Sequence, residues 1–156
     1  MFHFFKQQKE EVDALPKKTE DLLQELSTVA NVEDYLSGNA EEFSPKDFFG
    51  YLREYTDRKG YSKGDVSRLS GLDRFYVYDI YRGRKLPTTD KIVCLALALE
   101  LTLDETQHLL MTAARPVLYA KRKRDSILIF ALNNHKTVLE TNSLLFEAGE
   151  SSLTDE

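Results

Sequence analysis

Basic side chains are concentrated between residues 58 and 87, where they could form a phosphate-binding surface. This stretch holds eight lysines and arginines against three aspartates, a net charge of +5, although the whole 156-residue chain has a net charge of -5. Arg82, Arg84 and Lys85 lie in one short loop, RGRKLP. Cations in such a loop can contact a phosphate backbone by charge alone. The alternative is a solvated face with ordinary charge scatter.

The sequence ahead of this loop predicts two short helices. Each begins at a residue that can cap it, Ser62 or Asp73, and each ends at a glycine, Gly71 or Gly83. The apolar residues predicted to face inward are Val66, Leu69, Val77 and Ile80. Two short helices joined by a tight, glycine-containing turn form a helix-turn-helix motif, whose second helix can enter the major groove of DNA.

No pattern of residues indicates catalytic or metal-binding chemistry. His3, His108 and His135 fall in different predicted elements, and Cys94 is the one cysteine. Neither GxxxxGK[ST] nor GxGxxG occurs, and no spacing pairs carboxylates for acid-base work. We therefore expect no enzyme, no metal site and no cofactor. Cys94, inside the run IVCLALAL, is predicted to be a buried small hydrophobe.

Length and composition suit one helical domain with extensions. The apolar share of 42% is enough for a modest core, and there is no room for a second, catalytic domain. A single cysteine suits a reducing compartment, and no stretch approaches the roughly 20 apolar residues of a membrane span. We expect a cytoplasmic, soluble protein that does not enter a membrane.

Residues 1–43 are predicted to form an acidic arm that is partly helical. They carry four basic and ten acidic residues, a net charge of -6. Residues 1–18 are expected to be poorly ordered, Thr19 begins a helix, and Asn31 caps a second one that ends at Gly38. The arm could bind a protein partner, fold onto the basic surface in competition with DNA, or merely extend the core.

Residues 44–114 are predicted to be the main helical domain. Its first helix begins at Ser44 and Pro45, has Asp47 in its first turn and ends at Gly60. Its aromatic residues are predicted to pack in the core: Phe48, Tyr51 and Tyr55. Beyond the basic loop, one helix is predicted to begin at residue 89 or 90 and another at a Thr-x-x-Glu capping box.

The last two of these helices are repeated. Residues 90–114 and 125–149 align at an offset of 35, and both copies contain the capping box. Residues 115–150 are therefore predicted to form a C-terminal helical hairpin that stacks on the bundle. The polar tail, residues 151–156, is predicted to be frayed.

The stretch from residue 45 to about residue 110 resembles the Xre, or phage-repressor, type of helix-turn-helix. The matching structural positions are Val66, Gly71, Leu72, Val77, Ile80, Gly83, Arg84, Pro87, Leu95 and Leu99. The resemblance implies an all-α, lambda-repressor-like helix-turn-helix bundle and a sequence-specific DNA-binding transcriptional regulator. Such a protein is expected to be a homodimer on double-stranded DNA, because one short helix contacts too few base pairs for specificity.

The resemblance also implies which residues contact DNA. Lys63, the first residue of the first helix of the pair, contacts phosphate. The outward start of the second helix contacts bases. From side-chain chemistry, Arg74 is expected to pair with guanine, Asp79 to accept a hydrogen bond from the cytosine amino group, and Phe75 to contact a thymine methyl group. The full set of predicted DNA-binding residues is Lys63, Arg74, Phe75, Tyr76, Tyr78, Asp79, Arg82, Arg84 and Lys85.

The second helix of the pair, FYVYDIY, is more aromatic than that family's DNA-contacting helices, which carry small polar residues. With Val77 and Ile80 facing inward, the other aromatic side chains cannot all be buried, and an exposed aromatic surface is expected. Exposed aromatic surfaces also mark protein interfaces. The alternative function is therefore a protein-interaction module that has kept the helix-turn-helix fold.

Overall fold

The computed structural model describes residues 17–43 and 46–154, which form nine α-helices and one 3-10 helix without a strand. The predicted all-α class is confirmed for these residues. The chain divides into two compact units, residues 1–45 and 46–156. Residues 1–16, most of the segment predicted to be poorly ordered, lie outside the described residues. Ser44, Pro45 and the last two residues of the chain also lie outside them.

The first unit contains helices α1 (Thr19–Thr28) and α2 (Val32–Gly38) and a 3-10 turn (Ala40–Phe43). Both predicted helix starts are confirmed, and the Asn31 side chain accepts the cap bond from the Asp34 amide. Neither α-helix buries a residue. Asn39 joins the two helices, because its Nδ2 donates to Glu25 Oε2 at 2.6 Å and to the Tyr35 carbonyl at 3.0 Å.

The second unit contains seven helices. They are α3 (Phe48–Lys59), α4 (Lys63–Ser70), α5 (Arg74–Tyr81), α6 (Thr89–Ala98), α7 (Leu103–Thr112), α8 (Lys123–Asn133) and α9 (Val138–Glu147). α6 is the central helix: it packs against α4, α7, α8 and α9, and every residue from 92 to 99 is buried. α3 packs on α5 and α7.

The start of α3 differs from the prediction. The helix begins at Phe48, and Asp47 is its N-cap rather than part of its first turn, because the Asp47 side chain accepts a hydrogen bond from the Gly50 amide at 2.8 Å. Aspartate caps as well as serine does, and this aspartate lies directly before Phe48, which is 1% exposed. The predicted end is confirmed: Gly60 is the left-handed C-cap with φ 70°.

The predicted boundaries of α4 and the predicted start of α5 are also confirmed, whereas α5 ends at Tyr81 with Arg82 as its C-cap, before the predicted Gly83. Ser62 and Asp65 form a reciprocal capping box at the start of α4. The turn after α4 is made at Gly71, whose φ of 72° favours glycine, and Asp73 caps α5 by accepting from two backbone amides. The inward residues Val66, Val77 and Ile80 have no exposure, whereas Leu69 is half-buried.

The internal repeat is visible in the backbone. We call α6 and α7 the first hairpin, and α8 and α9 the second. α7 and α9 have the same length and begin at equivalent capping boxes, at Thr102 and Thr137. The connections also match, since Glu100 and His135, 35 residues apart, both adopt positive φ, at 53° and 50°. The two hairpins therefore have the same helix start and the same backbone conformation in their connections.

The repeat extends further than predicted. In each hairpin, an amide side chain is hydrogen-bonded to the backbone of the segment that follows. In the first, the Gln107 amide donates to the Leu118 carbonyl and accepts from the Leu118 amide, both at 2.8 Å. In the second, Asn142 Oδ1 accepts from the Leu153 amide at 2.8 Å. Both leucines are buried. The prediction of a frayed tail is therefore wrong for residues 151–154, which the Asn142 side chain and the burial of Leu153 hold in place.

Candidate nucleic-acid interface

The orientation of α5 is fixed by its buried face. Val77 and Ile80 have no exposure, and Tyr81 is 9% exposed. The Tyr81 hydroxyl is 2.5 Å from Thr56 Oγ1 in α3, and burial raises the pKa of Tyr81 to about 12. A buried hydroxyl needs such a partner, so this contact fixes the rotation of α5 about its axis. The opposite face of α5 must point to solvent.

Phe75, Asp79 and Arg82 define this outward face. Their spacing of four and three residues places them in one line along a helix, and we call them the outer ridge. Phe75 is 77% exposed. Asp79 is more constrained: its carboxylate lies 4.0 Å from Lys85 Nζ, and its backbone carbonyl accepts from the Arg84 amide. The ridge thus presents an apolar ring near the start of α5 and charged groups near its end.

A cluster of two cations around Tyr78 flanks the ridge on one side. The Arg74 guanidinium carbon lies 5.4 Å, and Lys63 Nζ 5.6 Å, from the centre of the Tyr78 ring. Arg74 Nε also donates to the Tyr78 hydroxyl at 2.9 Å. Cations at these distances are attracted by the ring face. Tyr78 therefore holds both side chains, while the Arg74 Nη atoms make no hydrogen bond within the described residues. We call Lys63, Arg74 and Tyr78 the Tyr78 cluster.

A second cluster surrounds Tyr76. Two residues along an α-helix are separated by about 200° of rotation, so Tyr76 and Tyr78 lie on opposite sides of the ridge. Lys91 Nζ lies 4.1 Å, and Lys85 Nζ 5.4 Å, from the centre of the Tyr76 ring. Burial raises the pKa of Tyr76, and Lys85 opposes this shift. We call Tyr76, Lys85 and Lys91 the Tyr76 cluster.

Arg115 holds the basic loop beside the Tyr76 cluster. Its Nε donates to the Pro87 carbonyl at 3.1 Å, and its Nη2 donates to the Leu86 carbonyl at 3.4 Å. Arg115 also acts on Tyr76, lowering its pKa against the effect of burial. The loop that carries the predicted phosphate contacts is therefore tied to the segment after α7.

The nine predicted residues fall into three groups. Lys63, Arg74 and Tyr78 lie together, and Lys85 lies beside both Tyr76 and Asp79. The side chains of Phe75, Arg82 and Arg84 are exposed, and none makes a side-chain hydrogen bond or ion pair within residues 17–43 and 46–154. Six of the nine predicted residues therefore have side-chain partners in the chain, and the other three side chains are free to contact a ligand.

The predicted aromatic surface is smaller than expected. Phe75 is exposed, but Tyr76 and Tyr78 are half-buried. Cations lie over both rings, and Tyr76 also packs against the hydrophobic core. Sequence reasoning also missed Lys91 and Arg115. Lys91 lies four residues beyond Pro87, so a wider charge window would have included it. Nothing in the sequence pattern connects Arg115 to the loop.

Metal binding, thiol chemistry and membrane insertion have little support from the part of the chain that the structure describes. The described residues contain no group of three or more histidine, cysteine or acidic side chains able to hold a metal ion. Cys94 has no exposure, and burial raises the pKa of its thiol to about 12, so it is protonated and inaccessible at neutral pH. No helix in this part of the chain is long and apolar enough to span a membrane.

No protein-family model, curated protein or solved structure matches this chain. Its function therefore has to be inferred from its own residues and contacts. The outer ridge and the two tyrosine clusters are the features from which we infer it.

Proposed function

We propose that this protein is a sequence-specific, double-stranded DNA-binding transcriptional regulator of the Xre helix-turn-helix type. In this proposal, α4 and α5 form the helix-turn-helix of a lambda-repressor-like bundle, and α5 enters the major groove. The observation that carries the proposal is the arrangement around α5, where an exposed ridge has a tyrosine-held basic cluster on each side.

This arrangement favours entry of α5 into the major groove of B-form DNA. The major groove is about 12 Å wide and admits one α-helix, with a phosphate backbone on either side. A helix in the groove needs base-contacting groups along its outer line and cations on both flanks. A protein partner would have no general need for cations on both flanks.

We assign a contact with a base edge to Arg74. It is the first residue of α5, and the N-terminal end of a recognition helix is where contacts to base edges concentrate. The hydrogen bond from its Nε to Tyr78 leaves the two Nη atoms for guanine. Phe75, one residue on, would contact a thymine methyl group. Asp79 would accept from a cytosine amino group, on condition that it separates from Lys85.

The phosphate contacts are assigned to the flanking cations and to Arg82, at the end of the outer ridge. Lys63 serves one strand, while Arg82, Arg84, Lys85 and Lys91 serve the other. Tyrosine rings hold Lys63, Lys85 and Lys91 before DNA arrives, which reduces the side-chain entropy lost on binding. Each phosphate contact should add about 0.9 to the slope of log affinity against log salt concentration.

The test is fluorescence anisotropy with the full chain, first on random duplexes and then on duplexes enriched from a random pool. Changing Arg84 and Lys85 to Ala should weaken binding to every sequence by about tenfold or more and reduce the salt slope by about 2. A charge-matched control, Lys121→Ala with Arg122→Ala, changes two exposed cations between α7 and α8 and should have little effect.

Arg74→Ala should instead relax the preference at one base position and cost about 1–3 kcal/mol on the enriched sequence. Tyr78→Phe keeps the ring and removes the hydroxyl that holds Arg74 Nε, so it should weaken the same preference to a smaller extent. Equal losses on every sequence for Arg74→Ala would remove this residue from base recognition.

A protein-interaction module is the second candidate function. Phe75, 77% exposed at the start of α5, favours it because exposed aromatic residues are common anchors in protein interfaces. The acidic first unit is a second candidate surface for a protein partner. Failure of both the full chain and residues 44–156 to bind duplex DNA at low salt would favour this candidate, whereas binding by residues 44–156 alone would make the acidic arm inhibitory.

We also propose that the protein binds DNA as a homodimer. α5 has eight residues, so one copy contacts too few base pairs to select a site. A two-fold dimer doubles the site and requires an interface elsewhere on the molecule.

A further inference from the structure

The second hairpin carries an unusual apolar stripe on α9. Leu139 and Phe146 are 70% and 84% exposed, and Ser143 is exposed between them. Their spacing of four and three residues places all three within about 60° of one another around the helix. We call these three residues the α9 stripe. Large apolar side chains at such exposure are typical of a surface that another element covers.

The repeat shows what covers the equivalent surface of the first hairpin. Thirty-five residues earlier, the corresponding positions of α7 are Asp104, His108 and Met111. His108 is half-buried, with its ring 4.4 Å from the ring of Tyr51 in α3, measured between centroids. A helix of the same chain therefore packs on this side of α7. On α9 the stripe is more apolar, yet no helix of the second unit covers Leu139 or Phe146.

We propose that the α9 stripe is the homodimer interface, with α9 of a second copy packed against it in antiparallel orientation about a two-fold axis at Ser143. In this arrangement, Leu139 of each copy packs beside Phe146 of the other. The small Ser143 side chains meet at the axis, where they allow the two helices to approach closely.

A second copy fits the stripe better than an unrelated partner for two reasons. The stripe has a small residue, Ser143, between two large ones, Leu139 and Phe146. This order is the same in both directions, so two antiparallel copies of the stripe are complementary to each other. The three residues of the stripe also carry no charge, so none of them places a like charge against a second copy. Each copy uses the same surface, and the assembly closes at two chains instead of growing into a fibre.

The first test is the mass of the 156-residue chain in sedimentation at micromolar concentration, without DNA. The wild type should have twice the mass of one chain. Phe146→Glu should be monomeric, because it places like charges in the interface. Met111→Glu, the matched change at the equivalent and 53% exposed position of α7, should remain dimeric. Circular dichroism should show the same helix content for all three proteins.

The second test uses a change that leaves the fold undisturbed. Ser143→Cys should give a covalent dimer under mild oxidation, because two copies of residue 143 meet at the axis. Asp104→Cys, exposed on α7, should not, and Cys94 has no exposure and should not react. The interface is overturned by a monomeric wild type, a dimeric Phe146→Glu or a Ser143→Cys that does not cross-link. A monomeric wild type that still binds duplex DNA would leave the proposed function standing.

Discussion

The first and second hairpins share their local design and differ in their surroundings. Both have a Thr-x-x-Glu capping box, a left-handed residue in the connection and an amide side chain that holds the next segment. α6 is buried among four helices and carries Lys91 of the Tyr76 cluster. The second hairpin is at the end of the stack, and Phe130, Leu139 and Phe146 are exposed there.

This difference shows which properties belong to local sequence and which to position in the fold. Caps and left-handed residues act within a few residues, so both copies keep them. Burial depends on neighbouring helices, so equivalent positions diverge: Leu95 in α6 has no exposure, whereas Phe130, its equivalent in α8, is 51% exposed. Equivalent substitutions in the two hairpins can measure each contribution separately.

The largest expected difference is between Leu95→Ala and Phe130→Ala. Leu95→Ala leaves a cavity in the core and should lower the free energy of unfolding by about 2–5 kcal/mol. Phe130→Ala removes a larger side chain from a half-open surface and should cost less than about 1 kcal/mol. Urea unfolding of both variants measures the difference, and equal losses would mean that Phe130 is as well packed as Leu95.

The amide clamps should show an intermediate effect. Gln107→Ala removes two hydrogen bonds to the Leu118 backbone, and Asn142→Ala removes the bond to the Leu153 amide and one to Thr154. Each change should cost about 1–3 kcal/mol, since buried backbone groups lose their partners. Hydrogen exchange at the Leu153 amide should also speed up in Asn142→Ala. Unchanged exchange there would show that burial of Leu153, and not the amide, holds the tail.

The smallest expected effect is at the residue after each hairpin. Ala114 and Gly149 are equivalent and both have positive φ, 54° and 75°. Ala114→Gly should stabilise the protein, and Gly149→Ala should destabilise it, each by about 1 kcal/mol. No atom lies within 4 Å of a Cβ added at Gly149, so the loss would be conformational. Thermal unfolding should shift in opposite directions, and shifts of the same sign would contradict this explanation.

Sequence predicted the features that short-range chemistry decides. Ser62, Asp73 and Gly60 fixed helix boundaries because caps act on the nearest backbone groups. The sequence alone predicts too early a start for α3, because two residues able to cap it, Ser44 and Asp47, lie three positions apart. The side-chain clusters could not be predicted, because their members are distant in sequence: Tyr76 and Lys91 lie in different helices, and no periodicity connects Asn142 to Leu153. The offset of 35 between Leu118 and Leu153 was the one available sign of the ordered tail.

The central claim is that α5 and its two tyrosine clusters form a DNA-binding surface. The most direct test is a titration of the 156-residue chain into random duplex DNA across a series of salt concentrations, with the Lys63→Ala and Lys91→Ala variants measured alongside. We predict binding that weakens linearly in log affinity against log salt, with a slope reduced by about 1 in each variant. No binding at the lowest salt, or a slope that neither variant changes, would contradict the claim.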